Sequence, residues 1–145
     1  MVHALQEAHR VLQSDGLLLD LRPAAVHRRA GLGAGRRWRL VGVMREPFAD
    51  DRAADRAVNL VIRQGLFHRE ARDEFILDRV MDSLQDFRAW LDDFSANTFP
   101  SHDWLYQRLE RALGTRQPGT QIVVRGLVKL GVLRKGDGEI PKSSP

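Results

Sequence analysis

Three glycines at alternate positions, Gly31, Gly33 and Gly35 in the run AGLGAGRRWRLVGVMRE (30–46), have the spacing at which a backbone can close on a nucleotide phosphate. A cofactor loop also needs an acidic residue before the glycines and a helix after them, whose first N–H groups meet the anion. Neither is here. The residues leading in are Val26-His27-Arg28-Arg29-Ala30, and Trp38 to Met44 reads as extended. The same glycines suit a connection between two twisted strands, where φ > 0 is wanted. The reading is a β-hairpin with a long glycine-rich loop, and no cofactor site is assigned.

Arg28, Arg29, Arg36, Arg37 and Arg39 make the densest basic patch of the chain, with Trp38 between them. Guanidinium groups around an aromatic ring can hold single-stranded nucleic acid by phosphate pairing and stacking. A solvated hairpin is the competing and favoured reading, because one tryptophan makes a thin platform. The histidines (His3, His9, His27, His68, His102) form no H-x-x-x-H or H-E-x-x-H pair, so no metal site is assigned. His27 and His68 fall on expected strands and could meet across the sheet, but solvent-facing or core-edge histidines are the favoured reading. Asp73, Glu74 and Asp78 could do acid–base chemistry if burial split their pKa values. Each has a basic neighbour in Arg69, Arg72 or Arg79, which favours a salt-bridged surface. Ser83 and Ser101 sit where helices should start and are read as capping-region residues, not nucleophiles. The chain has no cysteine, which removes thiolate chemistry and Cys-ligated metal sites. No catalytic residue is assigned.

The 145 residues suit one domain. Three lysines stand against twenty arginines, but the arginines are spread among 19 acids, so the net charge of +4 is read as an aid to solubility rather than a phosphate-binding signature. The start, MVHALQEAHRVLQSDG, has charges inside its apolar pattern and is not expected to be a signal peptide. No apolar run approaches the roughly 18 residues of a membrane span. A cytoplasmic protein without membrane contact is expected.

Helical spacing of Val2, Leu5, Ala8, Val11 and Leu12 opens the chain, and Asp15-Gly16 turns it into the apolar run Leu17 to Leu21. That unalternating run is expected to be covered on both faces and to lie parallel to a neighbour. After the hairpin, Asp50 or Asp51 caps a helix with Ala54, Ala57, Val58 and Val61 inward, stopped by Gly65. Leu66 to Met81 turns extended, and Asp82 with Gln85 forms a capping box for a helix burying Leu84, Phe87, Leu91 and Phe94. Pro100-Ser101 starts another helix, with Trp104, Leu105, Leu109 and Ala112 inward and Gly114 at its end. Trp90 and Trp104 are both expected in the core. Gln121 to Arg134 is a long strand, and GDGEIPKSSP (136–145) reads as a disordered tail. The order is α-β-β-β-α-β-α-α-β: an α+β domain over residues 1–135, its sheet mostly antiparallel, with an α/β remnant as the alternative class.

ALQEAHRVLQSDGLLLDLRP (4–23) resembles the late part of class I S-adenosylmethionine-dependent methyltransferases, where a helix reading roughly "EA-RVL" turns into the fifth strand of a seven-stranded sheet. Glu7-Ala8-His9-Arg10-Val11-Leu12 and Gly16-Leu17-Leu18-Leu19-Asp20 carry the match, while Gln13-Ser14-Asp15 lacks the usual proline and first glycine of the turn. QGLFHREARDEFILDRVMDSLQDFRAWLDDF (64–94) also looks like the variable C-terminal part of some of these enzymes. The resemblance implies the C-terminal half of that fold, with the family's G-x-G-x-G loop upstream of residue 4. Gly31, Gly33 and Gly35 lie on the wrong side of the strand to be that loop.

Three functions follow as expectations. The leading one is a truncated methyltransferase-like protein, non-catalytic by itself and without its own cofactor, that acts as a binding or oligomerisation module. Its strand at 17–21 would be left with an exposed apolar edge, which calls for a homodimer or a separate subunit carrying the missing half. The alternatives are a small-molecule-binding α+β module and a nucleic-acid binder using the Arg28–Arg39 hairpin.

Overall fold

The computed structural model describes residues 1–95, 102–115 and 119–139, with the side chains of residues 94 and 95 left aside. Its elements are α1 (Val2–Val11), β1 (Leu17–Pro23), β2 (Arg29–Ala34), β3 (Arg37–Val43), α2 (Ala49–Arg63), β4 (Phe67–Met81), α3 (Leu84–Ser95), α4 (Asp103–Leu113) and β5 (Gln121–Lys135). This is an α+β fold in the order that the periodicities imply. The sheet runs β1-β5-β2-β3, with β4 also paired to β5. Among the described residues no helix is long and apolar enough to cross a membrane. The chain divides into two compact units: residues 1–25, 48–75 and 128–145, and residues 26–47 and 76–127.

In the first unit β1 runs antiparallel to the second half of β5, from Leu17 opposite Arg134 to Pro23 opposite Val128. Helices α1 and α2 close the core through Leu5, Ala57, Val58 and Val61, against Leu66, Phe67 and Leu133. The expected parallel, doubly covered strand at 17–21 is therefore wrong on both counts. Leu18 packs on the core, while Leu17, Leu19 and Leu21 are 47%, 66% and 61% exposed. The residue types do not alternate, but the pleat does: each leucine takes the face its position dictates. Helix α2 is entered through Phe48 without a side-chain cap, and Asp50 and Asp51 lie inside its first turn, where their charge meets the positive helix end. They are not the cap that the sequence suggests. Gly65, at φ +73, stops α2 as expected. Beyond β5, the Gly136 N–H donates to the Leu66 carbonyl (2.8 Å) and the Gly138 N–H to that of Gly65 (3.1 Å). These residues, assigned by composition to the tail, are tied to the α2–β4 corner, and residues 140–145 lie outside the described residues.

In the second unit β2 and β3 form the expected hairpin, but its loop is two residues long. Gly35 and Arg36 make the turn, with φ +58 at Gly35 and not at Arg36, the pattern of type II′. Gly31 and Gly33 belong to β2 itself, with a bulge between Ala30 and Gly31. Residues 29–33 of β2 pair with 125–121 of β5. Helices α3 and α4 supply Phe87, Leu91, Leu105 and Leu109 to a core with Leu32, Met44 and Ile122. The cap of α3 is Ser83, not Asp82: its Oγ accepts the Asp86 N–H (3.0 Å) and its hydroxyl donates to the Asp86 carboxylate (2.6 Å). The box is the expected device moved by one residue. The proposed helix start at Pro100-Ser101 and the inward placement of Phe94 lie outside the described residues. Trp90 packs against the core, whereas Trp104 is 41% exposed and not a core residue.

Candidate functional site

Two places gather polar side chains around a concavity, one in each unit. In the first, Asp55 on α2 sits between Arg22 on β1 (3.1 Å) and Lys129 on β5 (2.7 Å), and Arg22 also grips Asp20 through two bonds of 2.7 and 2.8 Å. These four line a cavity of about 240 Å³ with Asn59, Arg69 and Gly131. Burial alone would raise the Asp55 pKa, but Lys129 and then Arg22 overcome it and hold the carboxyl below its ordinary value. Burial likewise pulls on Arg22, and Asp20 and Asp55 outweigh it, so its pKa is raised. Every charge in this cluster is answered by another. Its chemistry is that of a structural clamp between α2 and the strands.

The second place lies where β3 faces α4. Trp104, Arg108, Arg111 and Thr115 recur at helical spacing along and just past α4, and so share one stripe. Arg37 and Arg39 share one face of β3. Arg39, Ala112 and Thr115 line two adjoining open grooves, of about 650 and 360 Å³. The larger adds Arg36, Arg37 and Thr120, and the smaller adds Arg108 and Arg111. Trp104 ends the stripe with its ring edge against Gly42 and the Arg108 guanidinium 5.9 Å from its centroid. Among the described residues none of Arg36, Arg37, Arg39, Arg108 and Arg111 is bonded to a carboxylate.

The sequence-derived basic patch therefore splits. Arg36, Arg37 and Arg39 stay together. Arg28 is bound to Glu46, its guanidinium at 2.5 Å and its backbone N–H at 3.1 Å from the carboxylate. Arg29 lines a different groove, of about 220 Å³, with Val26, His27, Trp38, Ile76 and Arg125. Arg108 and Arg111 join the patch unannounced: only their spacing from Trp104 hinted at a common stripe, and nothing local said that β3 would lie beside it.

The remaining candidates disperse. His27 is not on a strand but in the loop before β2, where its Nδ1 accepts the Glu46 N–H (3.1 Å); His68 is on β4 in the other unit. His9 is buried, with Nε2 at 2.9 Å from the Gly136 carbonyl and Phe67 edge-on to its ring. No group of metal-ligating side chains exists among the described residues. Glu74 pairs with Arg72 (2.5 Å), Asp78 with Arg125 (3.0 Å) and Glu70 with Arg134, along a strand exposed from His68 to Val80. Arg134 lowers the Glu70 pKa by its hydrogen bond. Of the three acids singled out, Glu74 pairs with an expected neighbour, Arg72, whereas Asp78 pairs with Arg125 of β5 and Asp73 accepts the Glu74 N–H. Comparison of the chain with protein-family models, with curated proteins and with solved structures finds no match.

Proposed function

We propose that this chain is the C-terminal half of a methyltransferase-like fold and works as a binding and oligomerisation module through the free edge of β1. One observation carries the reading: among the described residues β1 has a single strand partner, β5, and next to its other edge it exposes Leu17, Leu19 and Leu21. A strand with an open ladder and an apolar face is a template for another strand. The charges of β1 do not guard it, because Asp20 and Arg22 alternate with the leucines and are bonded to each other, with Arg22 also bonded to Asp55 of α2. The edge strand β3, by contrast, carries exposed Arg37 and Arg39. The helix, turn and strand of residues 2–21 are also the elements on which the methyltransferase resemblance rests.

The simplest occupant is a second copy. Antiparallel pairing centred on Leu19 sets Leu17 against Leu21 of the other copy and keeps Asp20 from facing its own counterpart, an isologous two-fold contact. A separate subunit presenting a strand would use the same edge. Light scattering at micromolar concentration tests the reading. The wild-type chain is expected to run as a dimer, and Leu19→Lys as a folded monomer. A wild-type monomer that also captures no partner through this edge refutes it. S-adenosylmethionine is expected to leave the Tm unchanged. At a hundredfold excess over Kd a bound cofactor would add about 2.7 kcal/mol of stability, an easily seen shift.

A further inference from the structure

We infer that the seam between β3 and α4 binds the sugar–phosphate backbone of a single-stranded nucleic acid, with Trp104 as the stacking platform at one end. This goes beyond the β1 edge and uses none of its residues.

Charge is the first argument. Several other arginines are paired with carboxylates of the protein: Arg22 with Asp20 and Asp55, Arg28 with Glu46, Arg88 with Asp92 and Asp103, Arg125 with Asp78. The five along the seam have no such partner among the described residues, and they come from two elements far apart in sequence. The acid that α4 carries among them, Glu110, lines neither groove. Like charges brought together without counter-ions repel, so this arrangement is relieved when an anion enters. The guanidinium fork matches phosphate oxygens, and Thr115 adds a hydroxyl beside them.

Shape and the aromatic end favour an extended polyanion over a small one. Both grooves are open rather than enclosed, and they adjoin through Arg39 and Thr115. From Trp104 to Thr115 the helical rise amounts to about 16 Å, a track along which several phosphates can be met in succession. Trp104 is exposed at the end of that track although its ring edge packs against Gly42, so the ring is held and still open to solvent. An anchored ring beside arginines accepts any base by stacking, and single strands offer their bases where a duplex does not.

Fluorescence anisotropy with labelled oligo-U and oligo-dT tests the inference. If each of the five arginines meets one phosphate, log Kd should depend on log salt with a slope of about 3.5. The pair Arg108→Ala with Arg111→Ala should lower that slope by about 1.4, whereas Arg108→Lys with Arg111→Lys should keep it. Trp104→Ala should weaken binding about tenfold and Trp104→Phe much less. Thermal melts of each variant confirm that it is folded, and Arg63→Ala, an exposed arginine on α2, serves as the control. The inference is overturned if the seam variants match the control. It is overturned equally if heparin or a blunt duplex binds as tightly with no effect of Trp104→Ala, which would mark a surface for polyanions in general.

Discussion

The guanidinium of Arg125 lies 4.4 Å from the centroid of the Trp38 indole, and the same indole lies across Gly31. A Cβ at residue 31 would stand 2.9 Å from Trp38 Cε2 and closer still to the Arg39 carbonyl oxygen, a backbone atom that cannot swing away. Gly33 faces the Val123 side chain, with the Arg37 carbonyl oxygen at an ordinary 3.9 Å from a Cβ there, and Gly35 faces open space but holds φ +58. Three glycines at one spacing thus answer three separate demands, and each is internal to the sheet. Gly31→Ala is expected to be the most damaging, at about 3 kcal/mol, because the strands must part. Gly35→Ala should cost about 1–2 kcal/mol from its left-handed backbone alone. Gly33→Ala should cost least, since a valine methyl can turn. Urea unfolding of the three variants gives the ranking, and a neutral Gly31→Ala would refute the packing account.

How far the sequence reaches is clear from the same hairpin. Its existence was legible from two extended runs flanking glycines. Its loop length was not, because the ends of β2 are set by pairing with residues 121–125 of β5, nearly a hundred residues away. Element order was legible throughout, since each helix carries its own 3.6-residue stripe. The direction of β1 was not: direction is a property of the partner strand, and Leu17 to Leu21 reads the same either way. Trp104 was misplaced because its apolar bulk suggested the core, while its position on α4 belongs to the stripe of Arg108 and Arg111. The candidate site was half legible for a related reason. Arg36, Arg37 and Arg39 are neighbours in sequence, and Arg108 and Arg111 become their neighbours only when α4 docks on β3.

Ser83 offers a check on helix α3. Its hydroxyl makes reciprocal bonds with the Asp86 N–H and carboxylate. Ser83→Ala should therefore destabilise the protein by about 1 kcal/mol, and Ser83→Thr much less, because threonine keeps both the accepting oxygen and the donated hydroxyl. Asp82→Ala should leave the cap intact, since the Asp82 carboxylate bonds instead to the Gln121 side chain (2.6 Å). Equal losses for Ser83→Ala and Asp82→Ala in chemical denaturation would contradict this assignment.

Asp55 is the second check. Its carboxyl is about one-third exposed and holds both Lys129 and Arg22. Its pKa in the folded protein is depressed, so its contribution is present above the ordinary carboxylate value near 4 and fades as pH falls through the folded value. Asp55→Asn should cost about 1 kcal/mol at neutral pH, the upper end for a partly solvated pair. The gap to wild type should close in acid. A gap that persists at low pH would mean that shape, not charge, makes the clamp.

His102 titrates in a different window. It is 4% exposed and occupies the position before the first turn of α4. Burial pushes its imidazole below the ordinary value near 6.5, against the smaller upward pull of a backbone hydrogen bond with Arg45. The positive end of α4 also disfavours a charged ring there. The unfolded chain thus binds the proton more readily, so stability is fully present above about pH 6.5 and falls as pH drops from there toward the folded value. His102→Gln removes the titration, and its stability should vary less between about pH 7 and pH 5 than that of the wild type. The loss should be felt first in α4, whose amides should lose protection in wild type relative to His102→Gln at the same pH as the solution is acidified. Parallel stability curves for the two proteins across this range would show that the ring takes up its proton without disturbing α4, and the burial argument would fail.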